Sequence, residues 1–112
     1  MKWIIFLIFI SAMASQSCNK PEVAEGTPKC VENKIVEFEN IACAEAAIVK
    51  EYTFQEETVY TFDPGLCGAD MTTEVVDCDC NNLGYLGGLI GNVQINGEDF
   101  SNADFVKTIW SN

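Results

Sequence analysis

The fold of this chain is decided by the stretch AIVKEYTFQEETVYTF, which occupies residues 47–62. Its two halves, residues 47–54 and 58–62, are rich in β-branched and aromatic side chains, and the aromatic residues alternate with threonine. Such alternation is typical of a strand with one buried and one exposed face. Residues 55–57 separate the two halves, so the stretch predicts a β-hairpin with its turn there.

A helix is predicted on the N-terminal side of the hairpin, over residues 28–39. Val31, Ile35 and Phe38 recur at the spacing of one helical face. The dipeptide Thr27-Pro28 suits the cap and the first turn of a helix. The three apolar side chains are therefore expected to belong to the core.

On the C-terminal side, the pattern predicts strands at residues 72–76 and 83–86 and a short fifth strand around Val93 and Ile95. A last helical turn is predicted at about 102–107. The expected fold class is α+β: a short N-terminal helix packed on an antiparallel meander of four to five strands, stabilised by disulfides.

Residues 1–17 predict a signal peptide. Lys2 is followed by the apolar run WIIFLIFI and then by small residues. The run is too short to cross a bilayer, which needs about 20 apolar residues in a helix. This layout is typical of a secretory signal, so the protein is expected to be exported.

Two cleavage positions stay open. Ala12-Met13-Ala14 suits ordinary signal peptidase, whereas Ser15-Gln16-Ser17 before Cys18 resembles a lipoprotein signal, in which Cys18 becomes acylated. We favour the lipoprotein type, with a lipid anchor at the cell outer membrane or in the periplasm; the alternative is secretion. The polar residues 18–26 are expected to form a flexible tether, followed by one small domain at 27–112.

The composition excludes several classes of function. The chain has a formal net charge of −11 and contains neither histidine nor arginine. Nucleic-acid binding needs clustered basic residues, and Ser-His-Asp or Cys-His catalysis needs histidine. No phosphate-binding glycine motif occurs. An enzyme that uses paired carboxylates stays open as an alternative, although nothing marks a particular pair. We expect a protein that is not an enzyme, uses no cofactor and binds a protein or glycan partner.

Five cysteines besides Cys18 are disulfide candidates in an exported domain, namely Cys30, Cys43, Cys67, Cys78 and Cys80. A bridge between Cys78 and Cys80 is disfavoured by the single residue between them. Cys67 is expected to pair with one of those two, and Cys30 or Cys43 with another cysteine. Acylation of Cys18 leaves an odd number, so at least one cysteine stays unpaired within the chain; cleavage after Ala14 leaves six.

Two weak patterns suggest ligand sites. Tyr85, Gly87, Gly88 and Trp110 are candidates for a surface that binds a glycan or a peptide, with packing in the core as the alternative. Asp77, Asp79 and Asn81 have the spacing of calcium ligands. The position of the bidentate glutamate in that motif is occupied by Gly88, so a turn is favoured and no metal is predicted.

Short motifs run through the domain in a fixed order: Cys30, Tyr52-Thr53-Phe54, Val59-Tyr60-Thr61-Phe62, Cys67, Cys80 (or Cys78), Gly87-Gly88-Leu89-Ile90-Gly91, Asn96-Gly97-Glu98-Asp99-Phe100 and Ile109-Trp110. Together they resemble a small uncharacterised family of Bacteroidota lipoproteins, described only as a domain of unknown function. The resemblance supports the lipid anchor and implies no activity.

The expected function is that of a cell-envelope lipoprotein acting as a non-enzymatic binding or interaction module. The alternative is a secreted or anchored inhibitor of a protease or other hydrolase. A short segment, Cys67-Gly68-Ala69-Asp70, resembles part of a Kazal-type protease inhibitor. An inhibitor would be expected to present a rigid protruding loop between bridged cysteines.

Overall fold

A computed structural model describes residues 22–112. The predicted signal peptide, Cys18 and the first residues of the predicted tether lie outside this range. The described chain forms, in order, α1 (Lys29–Ile41), β1 (Ile48–Phe54), β2 (Glu57–Asp63), β3 (Thr72–Asp77), β4 (Asn82–Gly87), β5 (Gln94–Ile95), β6 (Glu98–Asp99), a 3-10 turn (Phe100–Asn102) and β7 (Asp104–Ser111). The α+β class is confirmed, as are the helix and the hairpin.

The main sheet is antiparallel and has the strand order β4-β3-β2-β1-β7. Strands β1 to β4 form the predicted meander, and β7 returns to pair with β1. In the central hairpin, Val49 lies opposite Phe62 and Tyr52 lies opposite Val59. The two short strands β5 and β6 form a separate hairpin.

The helical turn predicted at 102–107 is wrong. The 3-10 turn ends at Asn102, and β7 occupies Asp104–Ser111. The segment contains β-branched and aromatic residues that suit a strand, and β1 offers it a row of backbone hydrogen-bonding groups that a helix would leave unpaired. The pairing is irregular at two places, opposite Val49/Lys50 and opposite Glu51/Tyr52.

One face of the sheet is covered by α1. Val31, Ile35 and Phe38 are buried, as predicted, in a cluster that includes Phe62 and Trp110. The Phe38 ring packs edge-on against both aromatic partners, at centroid distances of 5.3 Å from Phe62 and 5.9 Å from Trp110. Since such pairs add to the free energy of area burial, these three rings form the centre of the helix-side core.

The opposite face is covered by a second, smaller layer that the sequence did not predict. Residues of the β5–β6 hairpin and the 3-10 turn pack on it. Ile95 is buried with Phe54, and the Phe100 ring lies 4.9 Å from Phe54 and 5.1 Å from Tyr52. The sheet is thus sandwiched between a helix and a small cap.

Two disulfides link distant parts of the chain. Cys30–Cys80 joins the start of α1 to the turn between β3 and β4, with Cα atoms 6.1 Å apart. Cys43–Cys67 joins the segment after α1 to the loop after β2, with Cα atoms 5.7 Å apart. Among the cysteines of the described residues, Cys78 is unpaired and exposed.

The pairing expected for Cys67, with Cys78 or Cys80, is wrong. Cys67 precedes β3 and the other two cysteines follow it. A strand of six residues spans about 20 Å at roughly 3.3 Å per residue. That distance is far beyond the reach of a disulfide.

Residues 22–26 are the described part of the predicted tether. Val23 and Ala24 pack against the helix-side core, and the Ala24 N–H donates a hydrogen bond to the Ile109 carbonyl at 3.0 Å. Within residues 22–112, α1 is neither long nor apolar enough to cross a membrane.

Candidate functional site

The large apolar side chains that are most exposed lie at one end of the sheet. We call it the loop end; it comprises residues 42–47, 64–71 and 88–92, where β1 and β3 begin and β2 and β4 end. The most exposed large apolar side chains of the described chain lie in or beside these loops, namely Ile41 (78% exposed), Leu66 (90%), Leu89 (84%) and Ile90 (88%). Exposed apolar side chains that share one end of a sheet are candidates for an interaction surface.

The loop at residues 64–71 is held in place from several directions. The Cys43–Cys67 disulfide links it to the segment after α1, and the Cys43 N–H donates to the Pro64 carbonyl at 2.9 Å. Gly65 has a φ of +100°, and a Cβ there would lie 2.7 Å from the Glu45 carbonyl oxygen. Because only glycine fits this close approach, Leu66 projects from a rigid base.

The loop at residues 88–92 is fastened to its neighbours by backbone and amide hydrogen bonds. The Gly88 N–H donates to the Met71 carbonyl at 3.2 Å. The Asn92 side-chain amide donates to the carbonyls of Tyr85, at 2.7 Å, and Gln94, at 2.8 Å. The loop ends are therefore fixed, while the side chains of Leu89 and Ile90 remain in solvent.

A groove of about 760 Å³ runs between the two loops and the 3-10 turn, on the face of the sheet opposite α1. We call it the loop groove. Its apolar lining includes Tyr52, Leu66, Leu86, Val93 and Phe100.

The loop groove carries negative charge. Among residues 22–112, Asp63 and Asp99 are the charged residues in its lining, and no lysine lines it. The Asp99 carboxylate accepts a hydrogen bond from the Ser101 N–H at 2.9 Å, and this bond lowers the pKa of Asp99. The aspartate therefore stays ionised at neutral pH, and the lining of the groove is apolar and negatively charged.

A smaller cavity of about 480 Å³ lies on the other face, between α1 and strands β3 and β4. Tyr85 and Met71 line it, and Lys34 and Glu74 form an ion pair at 3.0 Å beside it. The Lys34 ammonium also lies 5.4 Å from the centroid of the Phe62 ring. The protein's own Lys34 ammonium therefore already occupies the position over the aromatic ring of this cavity.

The model of a protein family, a domain of unknown function (DUF6970), matches residues 37–112. The chain belongs to the DUF6970 family. The match includes all seven strands, the loops at 42–47, 64–71 and 88–92 and the loop groove, and it leaves out Cys30 with the first part of α1. No curated protein and no solved structure matches the chain.

The surface predicted from Tyr85, Gly87, Gly88 and Trp110 does not form one site in this DUF6970 domain. Tyr85 and the two glycines lie together at the β4 edge. Trp110 lies on β7 at the opposite edge of the sheet and is only 6% exposed. It belongs to the core, because its ring packs against Phe38.

Leu66, Leu89 and Ile90 were not among the site residues predicted from the sequence. Their signal is faint: two aliphatic residues between glycines in GGLIG, and one leucine directly before a cysteine. Neither pattern shows which side chains remain in solvent. Their exposure depends on the conformation of two loops, which the Cys43–Cys67 disulfide and the Asn92 amide hydrogen bonds fix.

The calcium candidates form a turn in the DUF6970 domain. The Asp77 carboxylate accepts hydrogen bonds from the N–H groups of Asp79 and Asn81, both at 2.9 Å, and from the Asn81 amide at 3.1 Å. These bonds, first of all the one from the Asn81 backbone, lower the pKa of Asp77. Across residues 22–112, no three or more acidic or cysteine side chains gather into a metal-binding group.

Cys78 of the DUF6970 domain carries an exposed thiol beside the same turn. Its pKa is raised, chiefly by partial burial and further by the charges of Asp79 and Asp77. A raised pKa lowers the thiolate fraction, and the thiolate is the reactive form. The thiol is thus accessible but weakly nucleophilic at neutral pH.

We expect maleimide labelling of the unreduced protein to modify Cys78 and no other cysteine of residues 22–112. The rate should climb steeply as the pH rises, because the pKa of this thiol lies above the ordinary range. Peptide mapping by mass spectrometry measures the result, with Cys78→Ser as the unlabelled control. Labelling of Cys30, Cys43, Cys67 or Cys80 would contradict the disulfide pairs.

Proposed function

We propose that this DUF6970 protein is a lipoprotein of a Bacteroidota cell envelope, anchored through an acylated Cys18, and that it acts as a non-enzymatic binding module. Two disulfides in a small domain suit an extracellular or periplasmic environment. The apolar run before Cys18 and the serine-rich residues around the cleavage position support lipoprotein export.

The single observation that carries the binding proposal is the loop groove. Its lining combines apolar side chains with Asp63 and Asp99 and contains no lysine of residues 22–112. Pockets that bind ligands combine apolar walls with a few oriented polar groups in this way. We propose that the ligand is a polypeptide segment in which apolar and basic residues alternate, because such a segment can fill the groove and pair with Asp63 and Asp99.

The test uses two synthetic hexapeptides, one alternating lysine with leucine and one alternating glutamate with leucine. Backbone amide shifts of the isotope-labelled mature protein are followed by NMR during titration with each peptide. The lysine peptide is expected to shift residues around the loop groove, and the glutamate peptide to bind at least about tenfold more weakly, a difference of about 1.4 kcal/mol.

Val93→Lys and Val106→Lys form a matched pair of variants. Both valines are about half exposed, and Val93 lines the loop groove whereas Val106 lies on β7. The first variant is expected to weaken binding of the lysine peptide and the second to leave it nearly unchanged. Equal binding of the two peptides, or equal effects of the two variants, would contradict the proposed site.

The anchor has its own test. Intact mass spectrometry of the protein from the membrane fraction is expected to show an N-terminal Cys18 carrying acyl chains. An unmodified N-terminus at Ser15 would show that signal peptidase cleaves after Ala14 and that the protein is secreted.

A hydrolase inhibitor is the second candidate, and one observation favours it. Leu66 is 90% exposed directly before Cys67, on a loop crossed by a disulfide. A rigid loop loses little conformational entropy on binding, as an inhibitor requires. Inhibition of chymotrypsin or elastase that is abolished in Leu66→Glu would support this function, and absence of inhibition of both enzymes would reject it for this class of protease.

A further inference from the structure

The first described residues run alongside β7. The Ala24 N–H donates to the Ile109 carbonyl at 3.0 Å, and the Lys107 ammonium donates to the Glu25 carbonyl at 3.4 Å. From Glu25 back to Ala24, the chain therefore advances in the direction in which β7 runs, from Lys107 to Ile109. That direction leads to the loop end, because Ser111 at the end of β7 lies opposite Ile48 at the start of β1.

The distance from a lipid on Cys18 to the folded domain is short. Four residue steps separate Cys18 from Glu22, and four steps of fully extended chain span at most about 14 Å. Val23 and Ala24 already pack against the core, so they add no slack. An anchor at Cys18 would thus hold the edge of the domain near the bilayer surface instead of lifting it away on a long tether.

The chemistry of the loop end suits an uncharged lipid surface. Leu89 and Ile90, which are 84% and 88% exposed, lie in the loop at 88–92, and the exposed Leu66 and Ile41 lie in or beside the other loops of the same end. The loops at 42–47, 64–71 and 88–92 contain no lysine or arginine. They do carry Glu45 and Asp70, so anionic lipids would repel this end whereas zwitterionic lipids would not.

We propose that the loop end faces the membrane, with Leu89 and Ile90 inserted into the outer edge of the bilayer that holds Cys18. This inference rests on the proposed lipid anchor. The opposite end, with the turn between β1 and β2 at residues 55–56, points into the aqueous space. The loop groove then opens sideways just above the lipid surface, where a partner can reach it.

The test places a tryptophan at each end of the full lipidated protein. Leu89→Trp and Ile90→Trp report on the loop end, and Glu56→Trp is the matched control in the exposed turn at the other end. Each variant is reconstituted in phosphatidylcholine vesicles with brominated acyl chains, which quench tryptophan only on contact. The native Trp110 is buried and gives the same background in all three variants.

The expected result is loss of most of the added emission in Leu89→Trp and Ile90→Trp and almost none in Glu56→Trp. Replacing part of the lipid with phosphatidylglycerol at low salt should reduce the quenching at the loop end. A count of one reactive thiol per chain confirms that each variant has formed both disulfides.

The contrary results are distinct. If the mass confirms acylated Cys18 but neither loop-end tryptophan is quenched, the orientation is wrong and the anchor stands. Equal quenching of all three variants also overturns the orientation. A loop-end tryptophan shielded from aqueous acrylamide yet unquenched by brominated lipid would show that a second copy of the chain covers this end and would overturn the orientation. An N-terminus without acyl chains refutes the anchor and, with it, the inference.

Discussion

Replacing Trp110 with alanine is expected to lower the free energy of unfolding by about 3–5 kcal/mol. The side chain is 6% exposed, and its ring packs edge-on against Phe38 at 5.9 Å. Truncation removes a large apolar group and leaves a cavity between α1 and β7 that the surrounding sheet cannot close. Urea unfolding followed by circular dichroism measures the loss, since the variant lacks the tryptophan that fluorescence would use.

Tyr85→Ala is the matched control for this prediction. Tyr85 is also aromatic and also lies on a strand, but it is 52% exposed, so its removal is expected to cost less than about 1 kcal/mol. The two residues were candidates for the same binding surface, and this pair of variants separates them. Similar small losses in both variants would show that Trp110 is not part of the core.

Removing the Cys30–Cys80 disulfide in the double variant Cys30→Ser, Cys80→Ser is expected to destabilise the domain by about 4 kcal/mol. The two cysteines are 50 residues apart, and the loop-entropy relation gives roughly this value for a loop of that size. The shorter loop of 24 residues closed by Cys43–Cys67 gives about 3.5 kcal/mol by the same relation. The second double variant is Cys43→Ser, Cys67→Ser. Chemical denaturation without reductant compares the free energy of unfolding of both double variants with that of the wild type.

Cys78→Ser provides the control. Cys78 is exposed and forms no disulfide within the described chain, so its replacement is expected to change the free energy of unfolding by less than about 0.5 kcal/mol. A loss as large as that of the double variants would mean that Cys78, and not Cys80, pairs with Cys30. The wild type and the two double variants should approach one another in stability after reduction, because none of them then contains a disulfide.

The helix and the central hairpin were predictable because their signals are local. Val31, Ile35 and Phe38 share one face of α1 through a spacing of three and four residues, and all three are buried. The alternation of aromatic residues and threonine across β1 and β2 placed both strands. Each of these patterns depends on residues only a few positions apart, which the backbone geometry of helix and strand places on defined faces. The pattern did not predict that both faces of β2 are buried, Thr61 included, because the second layer consists of residues far along the chain.

The pairing of the cysteines was not predictable in this way. Cys30 and Cys80 lie 50 residues apart and meet only because α1 crosses the sheet from the β3–β4 turn to the loop end. The spacing between cysteines along the chain contains no information about that crossing. The prediction for Cys67 was wrong because neighbouring cysteines in sequence are here separated by the length of β3.

The candidate site, too, has a part that the local sequence indicates and a part that depends on distant residues. The short apolar signal GGLIG contains Leu89 and Ile90, but their exposure follows from hydrogen bonds that join Gly88 to Met71 and Asn92 to Tyr85 and Gln94. The loop groove also needs the cap formed by the β5–β6 hairpin and the 3-10 turn, because Phe100 of that turn packs on Tyr52. No local period reports such a cavity.

By itself, the sequence determined the helix, the hairpin, the fold class and the chemistries that a chain without histidine or arginine cannot perform. Only the tertiary structure decided that residues 104–111 form a strand beside β1, which cysteines pair, that Trp110 is core, and that the loops gather their apolar side chains at one end. The physical reason is the separation along the chain between the residues that interact. Periodicity and composition act over a few residues, whereas strand pairing, disulfides and exposed surfaces depend on residues that only the folded chain brings together.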